Sequence, residues 1–252
     1  MDNSPDPEKG SSRRGQVILL QELLDISPRA DILDTQLVIL TVLAGLITLG
    51  GLFLNSVAVI IGAMVISPLL EPIYAGTIFL AEGNMKKFFQ HLKVLAVLLG
   101  VLILVSALVT ACLTVITTLP VTPEILTRLE HQNISALLAV LLGITAIIAH
   151  RRGFVASVVG VGISVALVPP AVVTGITMVL MPSQLFNALS LALNNIFGLF
   201  AGMLIAILFL GIGPTDMAKL KLSRKNVYLM GISIVGLLLA IFILLRILRQ
   251  GL

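Results

Sequence analysis

Charge is the scarcest property of this sequence. Asp, Glu, Lys and Arg make up 11% of its 252 residues, where a soluble domain carries about 25%. The chain therefore lacks the polar material to cover a water-facing surface. Cysteine is nearly absent as well. The single Cys112 excludes a disulfide framework and a cysteine-based metal cluster, and its apolar sequence neighbours mark it as an inert core thiol. No nucleotide-binding loop, zinc-ligand spacing or catalytic-triad pattern occurs, so neither enzyme activity nor a cofactor nor a metal is expected. The first 35 residues are polar and mixed in charge, which excludes a signal peptide before the first apolar run.

What the sequence has in abundance is apolar length. Hydrophobic residues are 58% of the chain and the mean hydropathy is +1.13. The stretches 37–54, 94–123, 153–215 and 226–245 hold no charge at all, and a bilayer core about 30 Å thick needs about 20 apolar residues per helix. The fold class is thus an all-α polytopic membrane protein of about seven spans: 36–54, 56–81, 94–119, 134–149, 154–181, 185–211 and 227–245. Residues 1–35 read as an N-terminal tail with a short interfacial helix at 17–26, and 36–252 as the transmembrane domain.

The basic residues set an orientation. With seven spans, 13 of the 16 Lys and Arg (Lys9, Arg13, Arg14, Arg29, Lys86, Lys87, Lys93, Arg151, Arg152, Lys219, Lys221, Arg224 and Lys225) fall on the N-terminal side. Only Arg128, Arg246 and Arg249 fall opposite. The positive-inside rule places the N-terminus in the cytoplasm and the C-terminus outside the plasma membrane. Treating 56–81 and 154–181 as re-entrant hairpins changes the split to 9 against 7, almost no bias. For the same reason the net charge of +4 reads as topology, with no nucleic acid among the expected partners; these are the lipid bilayer, a small solute or ion, and further copies of the chain as a homo-oligomer.

Two spans carry proline pairs in mid-membrane, Pro68 and Pro72 in 56–81 and Pro169 and Pro170 in 154–181. Proline lacks the N–H that would bond the carbonyl four residues back. The carbonyls of Met64, Pro68, Val165 and Ala166 lose their usual partners, and two proline-broken helices are expected. An offset of 98 residues superposes Val57, Ala58, Gly62, Leu69, Pro72 and Ile78 on identical residues of the later span, six in 25 positions. Each proline-bearing span is second in a group of three, and three is odd, so the second group enters from the opposite side. This suggests an inverted repeat of 36–119 and 134–211 with an added helix at 226–247, a design recurrent in secondary transporters. The plainer alternative is two proline kinks in an ordinary bundle.

The runs NSVAVIIGAMVISPLLEPI, GISVALVPPAVV and LALNNIFGLFAG resemble the prokaryotic membrane family catalogued as domain-of-unknown-function family 389, over roughly residues 36–213. The resemblance implies a multi-span hydrophobic protein and no particular substrate. Many relatives carry a soluble N-terminal domain where this chain has a short tail, so the resemblance implies no regulation through such a domain here.

Among candidate functional residues Glu71 comes first, as the only acidic residue deep inside a span. An ionisable group at that depth costs at least about 2.5–3.5 kcal/mol and is by default a functional hypothesis. It is expected either to bind a cation or carry a proton, or to cap a half-helix starting at Pro72. Ser67, Pro68, Pro72, Ser164, Pro169, Pro170 and Thr174 flank the two proline sites. Asn194 and Asn195 need partners inside the sixth span and either line a pathway or bond between helices. Asn55 and Ser56 are expected to cap a tight turn, Gly198 and Gly202 to pack helices within the chain, and His150, Arg151 and Arg152 to mark the cytoplasmic face. Together these residues point to a transporter or channel for a small solute or ion, its site between the two broken helices. A structural or regulatory membrane protein is the alternative, and a membrane enzyme a weaker third.

Overall fold

A computed structural model describes residues 33–81, 83–130, 132–151 and 156–209, and every regular element among them is helical. The expected interfacial helix at 17–26 and the seventh span lie outside the described residues. Eight α-helices follow in order: α1 Thr35–Phe53, α2 Val57–Ile66, α3 Leu70–Ala81, α4 Met85–Ile116, α5 Pro123–Glu130, α6 Gln132–Arg151, α7 Ala156–Leu180 and α8 Leu185–Phe209, with a single 3₁₀ turn, Pro182–Gln184, before the last. In hydrocarbon the helix is what lets each backbone polar group find a partner inside its own segment. Four of these elements are long and apolar enough to cross a membrane, and six if the bent pairs α2–α3 (60°) and α5–α6 (86°) each count as one. The outward faces agree: Leu108 is 64% and Val115 86% exposed on α4, a surface that only lipid or another apolar partner can cover. The protein is a multi-pass helical membrane protein.

The helices are not equivalent. In α7, 78% of the spanning window is buried, against 39% in α1 and in α4. α7 therefore forms the centre, with α8, α4 and α2 packed against it. α6 and α8 approach backbone to backbone. A Cβ added at Gly198 would lie 2.9 Å from Ala136 O, and one at Gly202 would run into Val140 O. Gly198 and Gly202 thus serve packing inside the chain, as their spacing suggested. Gly175 does the same between α7 and α4, where a Cβ would stand 2.5 Å from Ile103 O.

Several boundaries differ from those expected. α4 starts at Met85, nine residues before the apolar run, so Lys86, Lys87 and Lys93 sit on a helix rather than in a loop. At 32 residues it is about 48 Å long, and its charged first turns project beyond a hydrocarbon core, where lysine stems can lie along apolar surface. α5 was not foreseen. It buries Ile125 and Leu129 four residues apart and pairs Glu124 with Arg128 at 3.1 Å on its polar side. Burial pulls the Arg128 guanidinium below its ordinary pKa, and Glu124 opposes that shift. Cys112 is exposed on α4 rather than in the core, because its face of α4 points outward with Leu108 and Val115.

One tertiary contact relates two connections. Asn55, with φ of 52°, makes the turn between α1 and α2, and its Oδ1 accepts from Glu124 N at 3.2 Å, at the start of α5. Thr122 Oγ1 donates to Leu52 O at 2.7 Å beside it. The α1–α2 turn and the α4–α5 connection therefore lie together on one side. Asn55 caps α5 rather than its own turn, and Ser56, the N-cap of α2, makes no side-chain cap bond.

Candidate functional site

The first proline pair breaks the chain. Ser67 leaves the helix with ψ of 127°, as expected before a proline, whose ring disfavours the α conformation in the preceding residue. Pro68 offers no N–H to Met64 O, which instead takes Ser67 N at a long 3.4 Å. Helix resumes at Leu70, not at Pro72. Pro72 then occupies the first turn of α3, where a missing N–H costs little. At this break the Val65 carbonyl accepts no backbone hydrogen bond from Leu69. Glu71 lies in the first turn of α3, half-buried, where its charge complements the helix dipole. It makes no hydrogen bond or ion pair among the described residues. Ser67 is 9% exposed, and its hydroxyl has no hydrogen-bond partner either.

The second pair does not break the chain, contrary to expectation. α7 runs unbroken through Pro169 and Pro170. The carbonyl that Pro170 leaves open is that of Ala166, and Asn195 Nδ2 of α8 donates to it at 2.9 Å. One turn on, Thr174 Oγ1 donates to Pro170 O at 2.8 Å. Asn195 is accounted for by its bond, which mends the helix at the prolines, and Thr174 satisfies its own hydroxyl within the helix. Asn195 Oδ1 and Asn194 Oδ1 remain buried without partners, and so does the hydroxyl of Ser164, whose residue is 0% exposed.

The expected meeting of two breaks is also absent. A Cβ placed on Gly160 of α7 would lie 3.6 Å from Leu70, so the break sits against α7 at Gly160. Pro170 is ten residues further, about 15 Å along the axis. Of the expected residues, the fold places Ser67, Pro68, Glu71 and Pro72 at the break. Ser164 stands one turn beyond Gly160 on the same face of α7. Pro169, Pro170, Thr174, Asn194 and Asn195 belong to a separate region at the α7–α8 contact.

Two aromatic contacts complete the surroundings of α3. Tyr74 is buried three residues after Glu71 and packs on His150 with ring centroids 5.0 Å apart. Phe79 stacks on His91 at 5.2 Å, under Lys87 Nζ at 4.6 Å. His150 is therefore a packing partner of the half-helix as well as a boundary residue; Tyr74 could have been singled out as the polar-tipped residue one turn from Glu71. A groove of about 390 Å³ between α6 and α7 has Thr145 as its only polar lining residue. Thr145 already donates to Leu141 O, so that groove offers nothing to hold a polar ligand.

The sequence family described as Domain of unknown function (DUF389) matches residues 64–201, over half of the chain. An uncharacterised protein of Methanocaldococcus jannaschii is similar, 25% identical over 245 residues, which covers 95% of this chain and 74% of that relative. No solved structure matches.

Proposed function

Because the chain belongs to the family described as Domain of unknown function (DUF389), a description that assigns no activity, we propose from its own geometry that it is a transporter or channel for a small solute or ion. Its site is the break between α2 and α3, rather than a cavity between two breaks. One observation carries this reading: a carboxylate without a partner, Glu71, stands half-exposed at a gap in the helical backbone. Non-helical backbone at membrane depth persists only where protein or a water-filled cavity surrounds it, and an unpaired acid at that depth is costly unless it serves something.

The placement in the membrane belongs to the same proposal. With 1.5 Å per residue and a 60° bend, α2 and α3 cover about 29 Å end to end, close to the thickness of the hydrocarbon core. That length suits a discontinuous span better than a hairpin returning to its own side. The Asn55–Glu124 contact also fits, since both connections are then outer ones in a plasma membrane protein with a cytoplasmic N-terminus. The triplets α1, α2–α3, α4 and α6, α7, α8 keep the order of an inverted repeat. Their packing departs from it, because the two-fold mate of the Leu70–Gly160 contact would join Val168 to Gly62, and Gly62 faces open space.

A purely structural role is favoured by a different observation, the Asn195–Ala166 bond, which uses a polar residue to mend a helix. Reconstitution into liposomes separates the two. Flux of the transported species should be saturable in wild type and lost or uncoupled in Glu71→Gln, with unfolding temperature unchanged. Equal flux in wild type, Glu71→Gln and Glu71→Ala would sink the assignment of the site.

A further inference from the structure

Most hydroxyl groups inside the helices follow one rule, and three buried ones, Thr48, Thr110 and Ser164, are exceptions to it, of which only Ser164 lies near the break. Thr41, Thr77, Ser106, Thr145 and Thr174 each donate to the carbonyl four residues back, the ordinary way for a hydroxyl in an apolar helix to satisfy itself. Ser164 has the Gly160 carbonyl in the same place and leaves its Oγ without a partner, at 0% exposure. A buried orphan of this kind calls for something that completes it. Ser164 shares a helix face with Gly160, and a Cβ on Gly160 would touch Leu70, so Ser164 lies one helical turn from the point where the break meets α7. On the other side of that contact are the hydroxyl of Ser67, 9% exposed, the open carbonyl of Val65, and the Glu71 carboxylate.

We infer that the break and Ser164 form a binding site for a dehydrated inorganic monovalent cation. All the groups are hard oxygen donors, the class that alkali and alkaline-earth cations select. The carbonyl end of α2 carries a partial negative charge directed at the break, and Glu71 adds a full one. A single carboxylate balances one positive charge. A divalent ion ordinarily takes more acidic ligands, and no group of three His, Cys, Asp or Glu gathers among the described residues. The inference rests on the reading of the break as the functional site, and it names what that site holds.

The test is thermal unfolding of the purified full-length protein in detergent, in sodium chloride, potassium chloride and choline chloride at equal ionic strength. A ligand that binds only the folded state raises the midpoint with its concentration. An inorganic cation should raise it by several degrees over choline. Ser164→Ala and Ser67→Ala should weaken the apparent affinity by about tenfold or more. Ser106→Ala, which removes a hydroxyl already bonded to Leu102 O, should leave the shift intact. Equal midpoints in all three salts overturn the inference, and so does a cation shift that survives Ser164→Ala. Cation-specific stabilisation without any flux in liposomes would remove the transport reading and keep the site. Flux without cation-specific stabilisation would do the reverse.

Discussion

The segments 57–81 and 156–180 are the same length, share five residues at one offset and carry two prolines each, yet one breaks and the other does not. Their surroundings account for the difference. α7 lies at the centre of the bundle, and α8 delivers Asn195 to the carbonyl that Pro170 exposes. α2 ends against the outer face, where Val65 is 54% and Ile66 38% exposed, and among the described residues no side-chain amide does for Met64, Val65 or Ile66 what Asn195 does for Ala166. Spacing adds to this. Adjacent prolines open carbonyls on a single turn, and here one amide supplies a donor to one of the two, Ala166 O. Prolines four apart let the second begin a new helix, so that stopping and restarting is the less costly course. A proline pair therefore states only that a carbonyl will be orphaned. Whether the helix breaks depends on what stands beside it.

The largest effect is expected from the residues that hold α8 in register. A side chain at Gly202 runs into the Val140 carbonyl with no room to yield. Gly202→Val should destabilise the protein by about 3 kcal/mol or more, seen as a lowered unfolding temperature or failure to purify as a single species. If the variant unfolds like wild type, α8 is not fixed by that contact and cannot position Asn195 as argued.

Asn195→Leu tests the repair itself. It leaves the Ala166 carbonyl buried without a donor, at a cost of about 1–3 kcal/mol. Amide exchange should rise around 166–172, making α7 behave more like the α2–α3 segment. Unchanged exchange there would mean that packing alone carries α7 through its prolines.

Much of this was legible in the sequence and some was not. Charge-free runs located α1, α7 and α8 to within two residues, because lipid imposes a strict length on apolar helices. The same criterion cut the start from α4, since Lys86, Lys87 and Lys93 interrupt the apolar run without interrupting the helix. α5 was overlooked although Pro123 at its start, the Ile125/Leu129 pair and the Glu124/Arg128 pair all mark a short amphipathic helix. The break at Pro68 was readable from local chemistry. The survival of α7 was not, because its cause is a residue 29 positions away. Ser164 is a candidate for its place beside the prolines, and only the tertiary structure puts it one helical turn from the contact with the other segment.

Pro68→Ala is the converse of the asparagine variant. It returns an N–H that can bond Met64 O and relieves the constraint on Ser67. The 57–81 segment should straighten, lengthening from about 29 Å toward about 36 Å, as read from spin-label distances between its ends. Stability should change by less than in the two variants above, while flux should fall because the gap closes. A segment that stays bent would show that the break is imposed by its neighbours rather than by proline.

The smallest perturbation asks only which way the two segments run. Cys112 faces outward on α4, so Cys112→Ala should leave stability unchanged and provide a background free of cysteine. Single cysteines at Lys87 and at Glu124 then report the two ends of α4, which is long enough to place them on opposite sides. Glu124 should react with membrane-impermeant reagents in intact cells and Lys87 only with permeant ones. If 57–81 were a hairpin, the turn at Asn55 and the start of α5 would lie on opposite sides of the bilayer, and the 3.2 Å bond between Asn55 and Glu124 would be impossible. Labelling of both cysteines from one side would therefore remove α4 as a crossing helix, and with it the view of the two proline segments as counterparts running in opposite directions.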